Sequence, residues 1–222
     1  MVRSRVAIVI PALNESATIV DVVDVAGRYG VPIVVDDGSI DNTAALGKQA
    51  GAVVVSHENN QGYDAALNSG FKKAAELGSD VIITLDADGQ HDPSLIQKFI
   101  DRIDAGADVV AGIRSRRQRF AEYLFAGYTS FYFGIKDPLC GMKAYRRVVY
   151  EALGHFDSYG SVGTELTIFA AKHGYRLDQI EFDVRERKGQ SRFGQVLAGN
   201  YKIIRAMALS MWCVKLTANR SA

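Results

Sequence analysis

Short runs of aliphatic and β-branched residues recur along the chain, and each opens into a polar loop. Arg5–Ile10, Val31–Val35, Ala52–Ser56, Val81–Leu85 and Asp108–Ile113 are of strand length and largely apolar at successive positions, the pattern of strands covered on both faces. Between them lie stretches of helical character, at about Glu15–Tyr29, after Asp41 or Asn42, over Gly62–Leu77, and from Asp92 to about Ala105. Three strand-helix alternations in about the first 80 residues predict a largely parallel sheet with helices on both faces and right-handed connections. Val81–Leu85 is expected near the middle of that sheet.

The second half reads differently. Phe120–Phe133 is aromatic-rich with few charges, suited to covering a site or touching lipid. KDPLCGMKAYRR reads as a turn and a short strand, Gly163–Lys172 as a helix and Arg176–Val184 as a strand. A last helix, about Phe193–Leu216, carries Lys202, Arg205 and Lys215 on an otherwise apolar surface with Trp212. Its longest uncharged stretch, Ala206–Val214, falls short of the roughly 20 apolar residues that span a bilayer. Packing on the domain, forming a homodimer, or lying in a membrane interface all suit such a helix.

Length and composition fit one soluble globular domain, with 222 residues, 48% hydrophobic and 23% charged. The apolar run Val6–Ile10 is too short for a signal peptide, and Cys140 and Cys213 match no metal-ligand spacing, so a reducing, cytoplasmic setting is expected, with peripheral attachment at the inner membrane face as an option. The net charge of +1 conceals an asymmetry: residues 1–110 carry 8 basic and 16 acidic side chains, residues 111–222 carry 18 and 9. An acidic half that holds a cation and a basic half that holds anions is the expectation, with no nucleic-acid partner.

The chemistry gathers at strand ends. Asp86 and Asp88 stand one residue apart where the fourth apolar run opens into a loop, with Gln90 two residues further on. Two carboxylates and a carboxamide offer hard oxygen ligands to a Mg²⁺ or Mn²⁺ ion that also holds a diphosphate. The first loop, PALNES, begins at Pro11, which has no N–H to extend a ladder, and Asn14 or Ser16 is placed to cap the next helix. It is not glycine-rich, which argues against a Rossmann dinucleotide site or a P-loop. In DDGSIDNT, Asp36, Asp37 and Gly38 form a turn, and one of the two acids is suited to accept N–H groups of a nucleobase. The small residues Ala65, Ala66, Ser69 and Gly70 mark a helix side that a strand or a ligand approaches closely. Arg114, Arg116, Arg117 and Arg119 form a cluster suited to phosphate oxygens, and RERKGQSRFG is a basic loop able to close over an anion.

Together PALNES, DDGSIDNT, NNQGYDAALNSG, DADGQHDP, DPLCGMKAYRR and RKGQSRF resemble, in order and rough spacing, the family 2 glycosyltransferases, specifically the dolichol-phosphate mannosyltransferase and polyprenyl-phosphate glycosyltransferase branch. The resemblance spans nearly the whole chain. It implies a GT-A fold, a single α/β/α domain around a mixed, largely parallel sheet, with residues 1–115 as the nucleotide- and metal-binding part, 116–192 as the acceptor part and 193–216 as a C-terminal amphipathic helix. It implies that Pro11, Ala12, Asn14, Glu15, Asp37, Gly38, Asn60, Gly62, Asp86 and Ala87 bind the nucleotide sugar, that Asp86, Asp88 and Gln90 hold the metal, and that Arg114, Arg116, Arg187, Ser191 and Arg192 meet acceptor or donor phosphates. Glu186 stands where the branch usually carries arginine, between Arg185 and Arg187.

The implied reaction is inverting hexosyl transfer from a UDP- or GDP-sugar. Asp88 and Arg187 are expected to stabilise the departing diphosphate. A polyprenyl phosphate acceptor is already anionic at neutral pH and needs no general base. A hydroxyl acceptor needs one, with Glu165, and after it Asp137, as candidates. A protein that binds a nucleotide sugar without turning it over is the remaining reading.

Overall fold

A computed structural model describes residues 5–89, 93–117, 119–183 and 196–218, the side chains of 93, 196–198 and 213–218 excepted. Seven strands form one sheet: β1 (Val6–Ala12), β2 (Val31–Asp36), β3 (Val53–Ser56), β4 (Val81–Thr84), β5 (Val109–Arg114), β6 (Lys143–Arg146) and β7 (Leu177–Phe182). Their order is β3-β2-β1-β4-β6-β5-β7, so β4 lies at the centre. β6 runs antiparallel to both β4 and β5, and every other pairing is parallel. The carboxyl ends of β1, β2, β4, β5 and β7 therefore open on one edge, where open α/β sheets bind ligands.

Alternation along each strand divides the core. Ile8, Ile10, Val34 and Ile83 face the helices α1 (Ile19–Ala26) and α4 (Ile96–Asp104), whereas Ala7, Val9, Val35 and Ile82 face α3 (Tyr63–Glu76), α6 (Arg147–Leu153) and α7 (Glu165–Lys172). On the second face Phe71 is fully buried and meets Tyr145 edge-on at 5.6 Å between ring centroids. Cutting Phe71 to Ala would cost about 3–5 kcal/mol. Helix α2 (Thr43–Gln49) completes the first layer, and α5 (Phe120–Phe133) with α8 (Val196–Ala218) forms a third cluster on α7 through Phe125, Ile168, Ile203 and Ala206. The expected α/β/α architecture around a mixed, largely parallel sheet is what the chain forms.

Two local readings need correction, and a third is decided between its alternatives. Pro11 does not end β1, which runs on to Ala12 in register with Asp36 of β2. The missing N–H costs no bond, because alternate residues from Val9 onward point to β4, and β4 stops at its Val9–Thr84 pair. The first helix begins at Ile19, not Glu15, because Asn14 and Ser16 tie the loop sideways to Ser39, Ile40 and Asp41 and cap nothing. The small side of α3 is explained by packing: a Cβ on Gly70 would lie 2.2 Å from Val9 of β1.

Candidate active site

At the tip of β4 the chain leaves the sheet, and Leu85 still bonds Val9 before Asp86, Ala87 and Asp88 turn into the loop. Asp88 is 7% exposed, and Ala87 is buried. The Asp86 carboxylate is seated by neighbours the sequence did not advertise. The Tyr63 hydroxyl donates to Asp86 Oδ1 at 3.3 Å. Burial, and then the charge of Asp86, pushes the Tyr63 phenol well above its ordinary range, so it stays a donor. On the other side lies Gly141, whose missing Cβ would fall 2.1 Å from Asp86 Oδ2. Gly141 is held in turn by Thr84, whose hydroxyl donates to its carbonyl at 2.6 Å. Among the described residues no three acidic, His or Cys side chains form a ready metal cage. Two hard carboxylates are nevertheless the donor set that suits Mg²⁺ or Mn²⁺ sharing its sphere with phosphate and water. Gln90, with His91, lies outside the described residues.

The first two loops are welded to this tip. Thr18 Oγ1 donates to the Ala87 carbonyl at 2.7 Å and to Glu15 Oε2 at 3.1 Å, so buried Glu15 belongs to the same unit. Asn14 takes φ +53°, a conformation asparagine tolerates, and its Oδ1 accepts the Ile40 N–H at 2.9 Å. Pro11 and Ala12 are buried in β1. Asp37 is mostly occupied by the fold: Oδ1 faces the His57 ring at 2.8 Å and accepts the Gln61 N–H, and Oδ2 accepts the Gly62 N–H. One acceptor position remains on Oδ2 for a ligand. Its neighbour Asp36 is 6% exposed, and its Oδ1 has no hydrogen-bond donor among the described residues. A desolvated oxygen left unpaired in this way is a place for a donor from outside the chain. Gly38, at φ +76°, lets this turn press on the backbone of exposed Asn60, 2.7 Å from where a Cβ would stand.

On the basic side, Arg114 is not a loose phosphate ligand. Its Nε and Nη2 make a forked pair with Asp137 at 2.8 and 3.0 Å, and Nη2 also donates to Glu122. The side chain is 17% exposed, and only the Nη1 edge is left to a ligand. The pair settles Asp137 as well. Burial would raise its carboxyl, but the Arg114 bonds hold it below the usual range, so it is no general base. Arg116 is exposed, and Arg117 donates to the Lys136 carbonyl at 2.6 Å. Arg114, Arg117, Tyr123, Gly127, Lys136 and Phe182 contribute to a groove of about 750 Å³ at the ends of β5 and β7. Arg187, Ser191 and Arg192 lie outside the described residues.

Glu165 also departs from expectation. Ser158 N–H, Ser158 O–H and the His155 ring converge on its carboxylate at 2.5–3.1 Å. It clamps the loop before α7 and has little capacity left to take a substrate proton. Behind it Lys143 is fully buried, donating to the Pro138 and Gly163 carbonyls at 2.7 Å each, with burial pushing its ammonium down to about 8. Lys143 thereby joins the loop that seats Asp86 to the start of α7.

A family model described as glycosyl transferase family 2 matches residues 7–154, from β1 through α6, and so contains the Asp86–Asp88 tip and both loops welded to it. The chain belongs to that family. This family 2 glycosyltransferase is 31% identical to a dolichyl-phosphate hexose transferase of Haloferax volcanii over 87% of this chain and 88% of that one. It is 31% identical to the polyprenol monophosphomannose synthase of Mycolicibacterium smegmatis over 83% and 78% of the two chains. Among solved structures, glucosyl-3-phosphoglycerate synthase from Mycobacterium tuberculosis, in complex with Mn²⁺ and UDP-glucose, matches with a TM-score of 0.74 at 25% identity, over 93% of this chain and 78% of that one.

Proposed function

We propose that this glycosyltransferase moves a hexosyl unit, with inversion, from a UDP- or GDP-sugar to a polyprenyl phosphate, using Mg²⁺ or Mn²⁺. The observation that carries the reading is the Asp86–Asp88 pair at the tip of the central strand, one carboxylate seated between Tyr63 and Gly141 and the loop tied to the first loop through Thr18. A divalent ion held there would neutralise charge building on the departing diphosphate. Asp36 and the open position on Asp37 would take N–H groups of the base, with Asn14, Glu15, Asn60 and Gly62 shaping the nucleoside pocket. Arg114 Nη1, Arg117 and Lys136 would face the acceptor phosphate from the groove, and Arg187 and Arg192 would add cations.

Two observations favour a phosphate over a hydroxyl acceptor. Two relatives matched in sequence are named for dolichyl phosphate and for polyprenol monophosphomannose, and neither candidate base is free to act, since Glu165 is a clamp and Asp137 an ion-pair partner. A phosphate monoester is its own nucleophile. With a nucleotide-sugar donor the reaction would run on the cytoplasmic side of a membrane. The test is thermal stability with UDP- and GDP-sugars, with and without Mn²⁺, followed by transfer to a prenyl phosphate. One donor should stabilise the protein in an Mn²⁺-dependent manner. Asp86→Asn and Asp88→Asn should fold normally and lose that stabilisation and the transfer together. Full turnover in either variant would refute the assigned role.

A further inference from the structure

His57 lies just past β3, and its ring bridges two other elements. Nδ1 stands 2.8 Å from Asp37 Oδ1, beyond the end of β2, and Nε2 stands 2.9 Å from Ser69 Oγ on α3. A carboxylate has no proton to offer, so the ring N–H at Nδ1 donates to Asp37. The His57 and Asp37 side chains are 8% and 6% exposed, which leaves this contact dry and electrostatically strong. The His57 backbone N–H also donates to the Asp36 carbonyl at 2.9 Å, so ring and backbone grip the same turn.

A histidine satisfied at both nitrogens is most often a piece of the fold. Two features take His57 further. The turn does not need the ring to hold Asp37, because the Gln61 and Gly62 N–H groups already bond one carboxylate oxygen each. What the ring adds is a second donor on Oδ1, which fills that oxygen and leaves the open acceptor position on Oδ2. The second feature is the anchor. Ser69 is followed by Gly70, where α3 presses so closely on Val9 of β1 that a Cβ has no room, so the ring is braced against a part of the helix that cannot shift. The same helix begins with Tyr63, whose hydroxyl donates to Asp86, six residues or about 9 Å of rise from Ser69.

We propose that His57 is a positioning residue for the donor nucleotide: braced on Ser69, it fixes the rotation of the Asp37 carboxylate and so aims the open Oδ2 position at an N–H of the base. The proposal rests on the reading of Asp37 as a ligand of that base. Helix α3 would then set both ends of the nucleotide, the base through Ser69 and His57, the metal at the diphosphate through Tyr63 and Asp86.

The experiment measures equilibrium binding of UDP, GDP and ribose 5-diphosphate, a diphosphate without a base, to the full chain in the presence of Mn²⁺. His57→Leu removes the ring N–H and should weaken the preferred nucleoside diphosphate about tenfold, while ribose 5-diphosphate stays within about twofold of wild type. His57→Asn, whose side-chain N–H reaches the place of Nδ1, should recover most of the loss. Ser69→Ala keeps the bond to Asp37 but frees the ring. It should cost about threefold on the nucleoside diphosphate alone, and it should add nothing on top of His57→Leu. Alanine suits a helix interior, so Ser69→Ala keeps the comparison available even if His57→Leu does not fold. Equal weakening with and without the base would make His57 a brace of the fold only and would overturn the proposal. Unchanged nucleotide binding in both variants, or an asparagine no better than leucine, would overturn it as well. A wild type that binds neither UDP nor GDP defeats the transferase reading itself; a wild type that binds one, with variants that match it, defeats the positioning role alone.

Discussion

Gly141→Ala tests the site at the point where it is tightest. Gly141 has no positive φ, so its backbone accepts alanine, and the whole effect lies in the added methyl. That carbon would stand 2.1 Å from Asp86 Oδ2, 2.7 Å from Cγ and 2.8 Å from Oδ1. Ordinary contact is about 3.5 Å, so the carboxylate has to retreat by roughly an ångström or more. It can do so by rotating its own side chain, away from the Tyr63 hydroxyl, so the fold should hold and melting should change by only a few degrees. Misplacing a reacting group or its ligand by about 1 Å typically costs about 100-fold in rate, and disturbing the support of a metal ligand costs about 10- to 100-fold in affinity. The variant should therefore show kcat/KM reduced about 100-fold and Mn²⁺ affinity, measured by electron paramagnetic resonance in the presence of the nucleoside diphosphate, reduced at least tenfold. Folded protein with Mn²⁺ binding and turnover both within twofold of wild type would refute the claim that Gly141 seats a metal ligand.

Glu165→Gln should lower kcat only mildly while reducing the melting temperature, because it weakens the Ser158 clamp; a large loss of kcat at unchanged melting would instead restore Glu165 as a base and a hydroxyl as the acceptor. Gly38→Ala combines a left-handed φ of +76° with backbone contacts of 2.7 Å, so it should destabilise by roughly 2–4 kcal/mol, a fall of roughly 5–10 °C in Tm, and a variant within a degree of wild type would show that the turn relaxes freely. Asp64 is pushed up to about 6 by burial and by Asp157, against the N–H groups of Gly163 and Val162. A raised carboxyl binds its proton more tightly when folded, so its contribution is complete below about pH 4 and lost as pH rises through about 6. The difference in unfolding free energy between wild type and Asp64→Asn should thus move against wild type by on the order of 2 kcal/mol between about pH 4 and pH 7, and a constant difference would contradict the shift.

The sequence by itself determined most of the elements and pointed to their ends as the place for chemistry. Both-faces-apolar strands such as Val81–Thr84 read directly, because burial on two sides forbids polar residues at either parity. Asp86 and Asp88 stood out as candidates because two carboxylates one residue apart at a strand end are a donor set for a divalent ion. Only the tertiary structure decided which of these groups are spent on the fold. Arg114, Asp137 and Glu165 looked like free functional groups, and each is committed to partners 7 to 23 residues away. Asp37 is largely taken by the turn at Gln61 and Gly62, while Asp36 keeps an oxygen unpaired among the described residues. Tyr63 and Gly141 meet Asp86 through a helix and a loop that no spacing rule connects to it. Phe120–Phe133 was legible as aromatic and nearly uncharged, but periodicity shows only that a helix has two sides, and packing shows which side the core takes.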